Sequence, residues 1–416
     1  MTKSTLPISI WVTLIGLYVG QAIPLYLVAA AFPPILRARG VDLQMIGAFG
    51  ILMAPWVFKF LWAPLLDKYR PPLLSGRKGW IITTQLVVLA TIVALSQFDP
   101  LEQVEYFFPV LLLMSFAAAT QDIATDGYAV EHLTPEQQPI GNAIQGGAIA
   151  AGVLIGGSLT LFIYDIVGWE FSVLSVGALS ALAILPVFFI NEQTGRRSAP
   201  SETTAPKPSF KAFFARKEAV AILGFALLFR VPEGLIKAVE QAFLVDLNFS
   251  LTQIGIISGG GAAVVGLVGS TLGMMLILGM GLGGFLWTII TLRTLCFAGY
   301  VLAAYQGLPL ELLIGLSLLN TFSRYMEIVG LYTAFMRVAS LNQAGTDFTI
   351  LSSANVSMYM FGSLFAGWFG QHYGYISLFS LATFLSIVTG IWAMRLGRQV
   401  IDMGKETPSL NSQPAH

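Results

Sequence analysis

Asn191-Glu-Gln-Thr-Gly-Arg-Arg-Ser-Ala-Pro-Ser-Glu-Thr-Thr-Ala-Pro-Lys-Pro-Ser-Phe210 decides how this chain folds. Pro200, Pro206 and Pro208 stand among Ser and Thr, just after Gly195-Arg-Arg197, which is the composition of a polar linker. No other substantial polar stretch lies in the interior of the chain. To either side the sequence is apolar. Of 416 residues, 56% are hydrophobic and 11% charged, and the mean hydropathy is +0.76. A soluble domain carries about 25% charged residues. Half of that cannot coat a water-exposed surface of this size, so the sequence reads as an integral membrane protein.

A lipid-spanning helix needs about 20 apolar residues. Twelve candidate spans follow, at about 8–31, 44–64, 80–97, 106–130, 140–163, 170–190, 219–245, 250–274, 283–304, 309–336, 344–368 and 373–394. Residues 247–292 hold no charge and are too long for one crossing, so a break is expected near the glycines from Gly279 to Gly284. Lys3 ahead of the first apolar run resembles a signal peptide, but the run is too long and lacks a clear cleavage site; it is read as a retained first span. The linker then divides the chain into an N-terminal six-helix bundle (1–190), a cytoplasmic linker (191–215), a C-terminal six-helix bundle (216–396) and a cytoplasmic tail (397–416). With the N-terminus inside, fifteen basic residues fall in inside loops and two, Arg37 and Arg39, outside. That excess places both termini in the cytoplasm. A six-plus-six chain of this kind fits a major facilitator fold, in which two bundles rock about a site near the midplane.

Composition also excludes functions. Lys and Arg together equal Asp and Glu at 22 each, so nothing argues for nucleic acid. His132, His372 and His416 are scattered, and the single Cys296 lies in an apolar run, so no metal cluster is expected. Gly259-Gly-Gly261 has no following Lys-Ser/Thr, so a phosphate loop is unsupported. The chain is expected to be no enzyme and to need no cofactor.

Charge inside apolar runs is expensive and marks gates, solute paths or proton sites. Asp122 and Asp126 lie about one turn apart on the fourth span and share a face. Asp122 sits ~24 Å from the outer end of its helix. One reading is a proton site, since low dielectric and a like-charged neighbour both favour a neutral carboxyl. The other, which the depth favours, is a cytoplasmic gate in which Asp67, Asp122 and Asp126 meet Lys68, Arg70, Arg77 or Lys78. On the seventh span Arg230, Glu233, Lys237 and Glu240 fall within a sector of ~80°. This stripe must face the interior and is the candidate central site for substrate contact and proton coupling, with Glu233 or Glu327 the first candidates for coupling and Asp122 and Asp126 next, unless Glu233 merely pairs with Lys237 and Arg230 with Glu233 along the helix. Arg324, Glu327 and Arg293 are candidates to complete it; Arg324 and Glu327, one turn apart, would otherwise pair with each other.

At Lys59-Phe-Leu-Trp-Ala-Pro-Leu-Leu-Asp67, Ala119-Thr-Gln-Asp-Ile-Ala-Thr-Asp-Gly127 and Leu244–Gly255 the chain resembles the AmpG-like peptide, acetyl-coenzyme A and drug transporter branch of the major facilitator superfamily. Gln343-Ala-Gly-Thr-Asp-Phe-Thr-Ile-Leu-Ser-Ser353, and the length of the chain, look more like the compact siderophore permeases of the RhtX/FptX type, which carry pyochelin or rhizobactin. The resemblance implies a monomeric symporter in the bacterial inner membrane, importing a siderophore or its iron complex together with protons. A muropeptide permease is the alternative, and a non-transporting signalling protein on the same fold a further one.

Overall fold

The computed structural model describes residues 7–40, 49–69, 76–99, 104–189, 192, 196–197, 207–249 and 251–398. Most of the expected linker, Arg70 and the tail from 399 lie outside them. Among the described residues the chain is all-helical, and eight helices are long and apolar enough to cross a membrane. In chain order they are α1 (Ile8–Ala38), α2 (Gly76–Gln97), α3 (Tyr106–His132), α4 (Gln138–Val167), α5 (Trp169–Phe189), α6 (Ala219–Asp246) and α7 (Ile257–Gln306), with the last, Leu341–Leu396, following one more helix. That intervening helix, α8 (Leu310–Val338), carries Glu311, Arg324, Glu327 and Arg337 and is less apolar. Leu341–Leu396 is therefore α9.

The departures from twelve separate spans have local causes. The expected break among Gly279 to Gly284 falls at Gly281, where φ is 76° and α7 is kinked, with helix on either side. Gly374, with φ 78°, does the same inside α9. Only glycine takes such angles without strain. The expected second span is divided into Phe49–Met53, Ala54–Phe58, Lys59–Leu61 and Ala63–Lys68. Pro55 and Pro64 each sit in the first turn of one of these pieces, where a missing N–H costs nothing and the preceding turn is forced to end. The break leaves Lys59 in a tight turn of 3-10 helix, buried.

Three π-helical turns interrupt the long helices: Leu27–Ala31 in α1, Val153–Leu159 in α4 and Ile257–Gly261 at the start of α7. They pack in series, the first on the second and the second on the third.

Three apolar clusters hold the helices. One joins both halves of the chain near the linker, with Leu14, Ile123 and Tyr128 from the first half and Phe225, Phe335 and Phe348 from the second. The other two are separate. Phe32, Val88, Phe107 and Met114 belong to the first half, and Ile236, Phe243, Tyr300 and Phe379 to the second. The halves thus share a large core near the linker and keep their own elsewhere, except where a fourth, small cluster of Ala150, Ala263 and Tyr325 bridges them.

Candidate functional site

Buried charge falls into three centres, and helix positions dictate which residues meet. In the first half, the tight turn at 59–61 aims Lys59 at α3, where its ammonium ion-pairs with Asp122. Gln21 of α1 donates to the other Asp122 oxygen at 2.7 Å. Asp126, one turn further on and almost fully buried, meets no cation. It accepts from the Tyr18 hydroxyl at 3.2 Å and from Gln145 at 3.3 Å. Lys59, Asp122, Asp126, Trp56, Tyr332 and Ser352 are among the walls of a cavity of about 120 Å³. The last two come from α8 and α9, so the cavity lies between the halves.

Of the cations expected to meet Asp122 and Asp126 in a gate, Arg70 lies outside the described residues and the other three have partners elsewhere. Lys68 lies over the Tyr69 ring at 4.9 Å, Lys78 donates to the Phe188 carbonyl at 2.9 Å, and Arg77 pairs with Asp67 and Glu131. The sector argument placed the two aspartates on one face rightly. It could not show that Lys59 from another helix would fill that face before any loop cation reached it.

Asp67 is the one of the three carboxylates that bonds across to the second half at the linker end. It accepts from the Gly345 N–H at 3.3 Å, the Thr346 N–H at 2.7 Å and the Thr346 hydroxyl at 2.6 Å. Its charge faces the N-terminus of the α-helix in α9, the positive end of the helix dipole. Arg77 ties Asp67 to Glu131, and Arg196 adds a second cation to Glu131 at 3.2 Å. Glu192 accepts from the Arg77 N–H, so described linker residues join the same clasp. On the other half Arg216 pairs with Asp347 at 3.1 Å, Gln343 donates to Asp347 at 2.5 Å, and the Ser209 N–H donates to Gln343 at 3.0 Å.

The third centre lies in the second half. The pairs within one helix differ from those expected: Arg230 and Arg324 do not pair with their own-helix neighbours Glu233 and Glu327. Arg230 reaches across to Glu327 at 3.1 Å, and Arg293 from α7 takes the other Glu327 oxygen at 2.9 Å. Arg293 also donates to the Phe229 carbonyl at 2.7 Å and to Ser386 at 3.1 Å. Lys237 does pair along α6, but with Glu240 at 2.7 Å, and Glu240 also accepts from Tyr300 at 2.5 Å and Ser317 at 2.8 Å. Arg324 approaches Glu233 only to 3.9 Å. Both Glu233 oxygens and the Arg324 Nε are buried without a hydrogen-bond partner.

Sequence reasoning missed Lys59 as a site residue, although a lone cation in an apolar run is the same signal that singled out Asp122. Tyr18, Gln21 and Gln145 carried no signal, being neutral. Among the described residues no group of three or more His, Cys, Asp or Glu is placed to hold a metal ion.

Comparison with known proteins places these centres in context. Residues 14–358 match the sequence profile of the Major Facilitator Superfamily. The chain is 25% identical over 400 residues to the anhydromuropeptide permease of Escherichia coli K12, covering 95% of this chain and 81% of that one. It is 29% identical over 297 residues to an uncharacterized protein of Haemophilus influenzae, 69% of each chain. Over 393 residues it is 24% identical to putative transporter AmpG 4 of Rickettsia conorii, covering 91% and 94%. Among solved structures, an outward-facing bacterial homologue of the iron transporter ferroportin superposes with a TM-score of 0.67 at 16% identity, covering 95% of this chain and 99% of that one. The proton:xylose symporter XylE gives 0.67 at 12% identity, covering 93% and 94%. These two superpositions describe the fold alone.

Proposed function

The chain belongs to the Major Facilitator Superfamily, and from that premise we propose that it imports an anhydromuropeptide, a peptide-linked amino sugar, across the bacterial inner membrane as a single-chain, proton-coupled carrier. The observation that carries this reading is the match over 400 residues to an anhydromuropeptide permease. The siderophore reading loses ground for a physical reason. Of the stretch on which it partly rested, Gln343, Gly345, Thr346 and Asp347 are engaged with Asp67, Ser209 and Arg216 in the clasp, and Ser352 is a cavity wall.

We take the chain to cross the membrane twelve times with both ends inside, as two bundles, 1–190 and 216–396. The glycine kinks of α7 and α9, the proline-divided segment 49–68 and the length of α8 support that count. The clasp then lies on the cytoplasmic side and holds the halves together there. A cavity of about 120 Å³ is smaller than the ~300–1,000 Å³ usual for small-molecule sites, so the halves must part further to admit a solute. The separate apolar clusters at the far end let them do so without opening either core.

Coupling is assigned to Asp122 and Asp126. Two carboxylates share one ammonium, and the surplus carboxylate, Asp126, has only neutral donors; one proton balances the charge. Glu327, held by two arginines, has no such need. A proton moving inward gains ~2.3 kcal/mol per 100 mV of membrane potential.

The test is uptake of labelled anhydromuropeptide into proteoliposomes under an inward proton gradient, with a ferric siderophore as the parallel substrate. Uphill accumulation of the muropeptide alone is expected. Accumulation of the siderophore alone would overturn the substrate. Asp126→Asn should abolish uphill accumulation yet keep counterflow; retained accumulation would remove the coupling assignment.

A further inference from the structure

Four cations and three carboxylates meet in the second half, and they are not equivalent. Arg230 and Arg293 are both spent on Glu327. Lys237 is spent on Glu240. Arg324 is different: its only ionic partner, Glu233, stands at 3.9 Å, beyond hydrogen-bond reach, and its side chain keeps 24% of its surface accessible. Arg324 lies ~21 Å along α8 from Leu310, at 1.5 Å per residue, near mid-helix. A guanidinium accessible at that depth faces a solute path and not lipid. Tyr325 lies beneath it, 5.4 Å from ring centroid to guanidinium, and Tyr26 of α1 and Tyr359 of α9 are within electrostatic reach. Glu233 is the complementary oddity. It is 2% exposed, and neither of its oxygens accepts a hydrogen bond. An ionisable group that deep is normally satisfied, because leaving it unbonded forfeits the desolvation it has already suffered.

We propose that Arg324 is the anion subsite of the carrier, that it takes a carboxylate of the substrate, and that Glu233 holds its place until the substrate arrives. This rests on the transport reading above, and it adds an orientation to it. The substrate carboxylate docks on the second half, where cations exceed carboxylates by one. The first-half wall of the cavity offers it no free cation, since Lys59 is already paired with Asp122. The hydroxyl- and amide-bearing end of the molecule is therefore the end that meets Trp56, Gln21 and Gln145. Arg324, being planar and forked, grips a carboxylate with two parallel hydrogen bonds, which the distant Glu233 does not achieve.

Two measurements on the purified full-length protein decide this. The first is binding of an anhydromuropeptide bearing free peptide carboxylates and of its carboxamide analogue. Arg324→Gln should weaken the carboxylate form about 10- to 100-fold, the worth of a hydrogen bond to a charged group, and leave the carboxamide within about twofold. Glu233→Gln should tighten the carboxylate form, an effect of opposite sign to simple damage of the fold. Equal weakening of both ligands by Arg324→Gln, or weaker binding after Glu233→Gln, would overturn the subsite. The second measurement needs no transport: modification by phenylglyoxal, mapped by mass spectrometry. Arg324 should react ahead of Arg230 and Arg293, and a carboxylate-bearing muropeptide or tripeptide should protect it where the carboxamide does not. If the tripeptide protects Arg324 but no muropeptide binds or is taken up, the subsite stands and the muropeptide reading falls. If the muropeptide is taken up and Arg324 is neither reactive nor protected, the subsite falls and the muropeptide reading stands.

Discussion

The two halves solve the problem of buried charge in opposite ways. In the first half, two carboxylates share one lysine and are otherwise held by neutral donors, Tyr18, Gln21 and Gln145, beside a cavity. In the second, Glu327 is gripped by two arginines from different helices, and the backbone carbonyl of Phe229 and the hydroxyl of Ser386 satisfy much of what remains. The first arrangement leaves one carboxylate, Asp126, with neutral donors alone, whereas the second sets an arginine on each oxygen of Glu327. Buried charge thus differs by what surrounds it, even where the residue types are similar.

The largest test of that contrast is Glu327→Ala. It leaves two buried guanidinium groups without an anion, at a cost of about 3–5 kcal/mol, and should deplete folded protein in detergent, seen as a lowered melting temperature by intrinsic fluorescence. Normal stability would mean that the second-half lock is no lock. Next is Lys59→Gln, which strips the only cation from the acid pair. Because the pair can take up a proton instead, folding should lose no more than about 2 kcal/mol, while the pH dependence of uptake moves to higher pH, because loss of a neighbouring cation raises the proton affinity of the carboxylates. Lys59→Gln with Asp122→Asn restores the charge count and should return the pH profile; if it does not, the surplus charge is not what sets it. Asp67→Asn is smaller, about 1–2 kcal/mol, since its three hydrogen bonds to α9 lose their charge assistance while Arg77 keeps its pair with Glu131. Hydrogen exchange at Gly345 and Thr346 should quicken about tenfold, with the melting temperature nearly unchanged. Smallest of all is Arg39→Ala. The Arg39–Asp99 pair, 2.8 Å apart and about one-third exposed, should be worth less than about 1 kcal/mol; a larger loss of stability would show that exposure does not separate the strong pairs from the weak in this molecule.

How far the sequence reaches is seen in particular residues. The apolar runs, the polar linker and the break among Gly279 to Gly284 follow from one-dimensional rules, and Gly281 takes the break. The stripe Arg230–Glu240 is inward-facing, as its spacing required: Arg230, Glu233 and Glu240 are all buried. What spacing cannot supply is the identity of the opposite helix. Arg230 looks past Glu233, its neighbour at one turn, to Glu327, which is 97 residues away. Asp122 ignores the basic loop nearest in sequence because Pro55 and Pro64 break the intervening segment and turn Lys59 inward. The prolines were visible; that their effect would be to aim a lysine was not, since it depends on where α3 passes.

The chained π turns of α1, α4 and α7 carry a mechanical consequence. A π turn holds one residue more than the α turn it replaces. It is slack wound into the rod. If such a turn tightened to α, everything beyond it would shift by about 1.5 Å and swivel by about 100°, with every backbone hydrogen bond re-formed one step along. Three such reserves touch in series and span both halves, so a swivel in α1 would press on α4 and, through it, on α7. Carriers of this shape are usually pictured as two rigid blocks pivoting. Here the blocks would also contain their own screw thread.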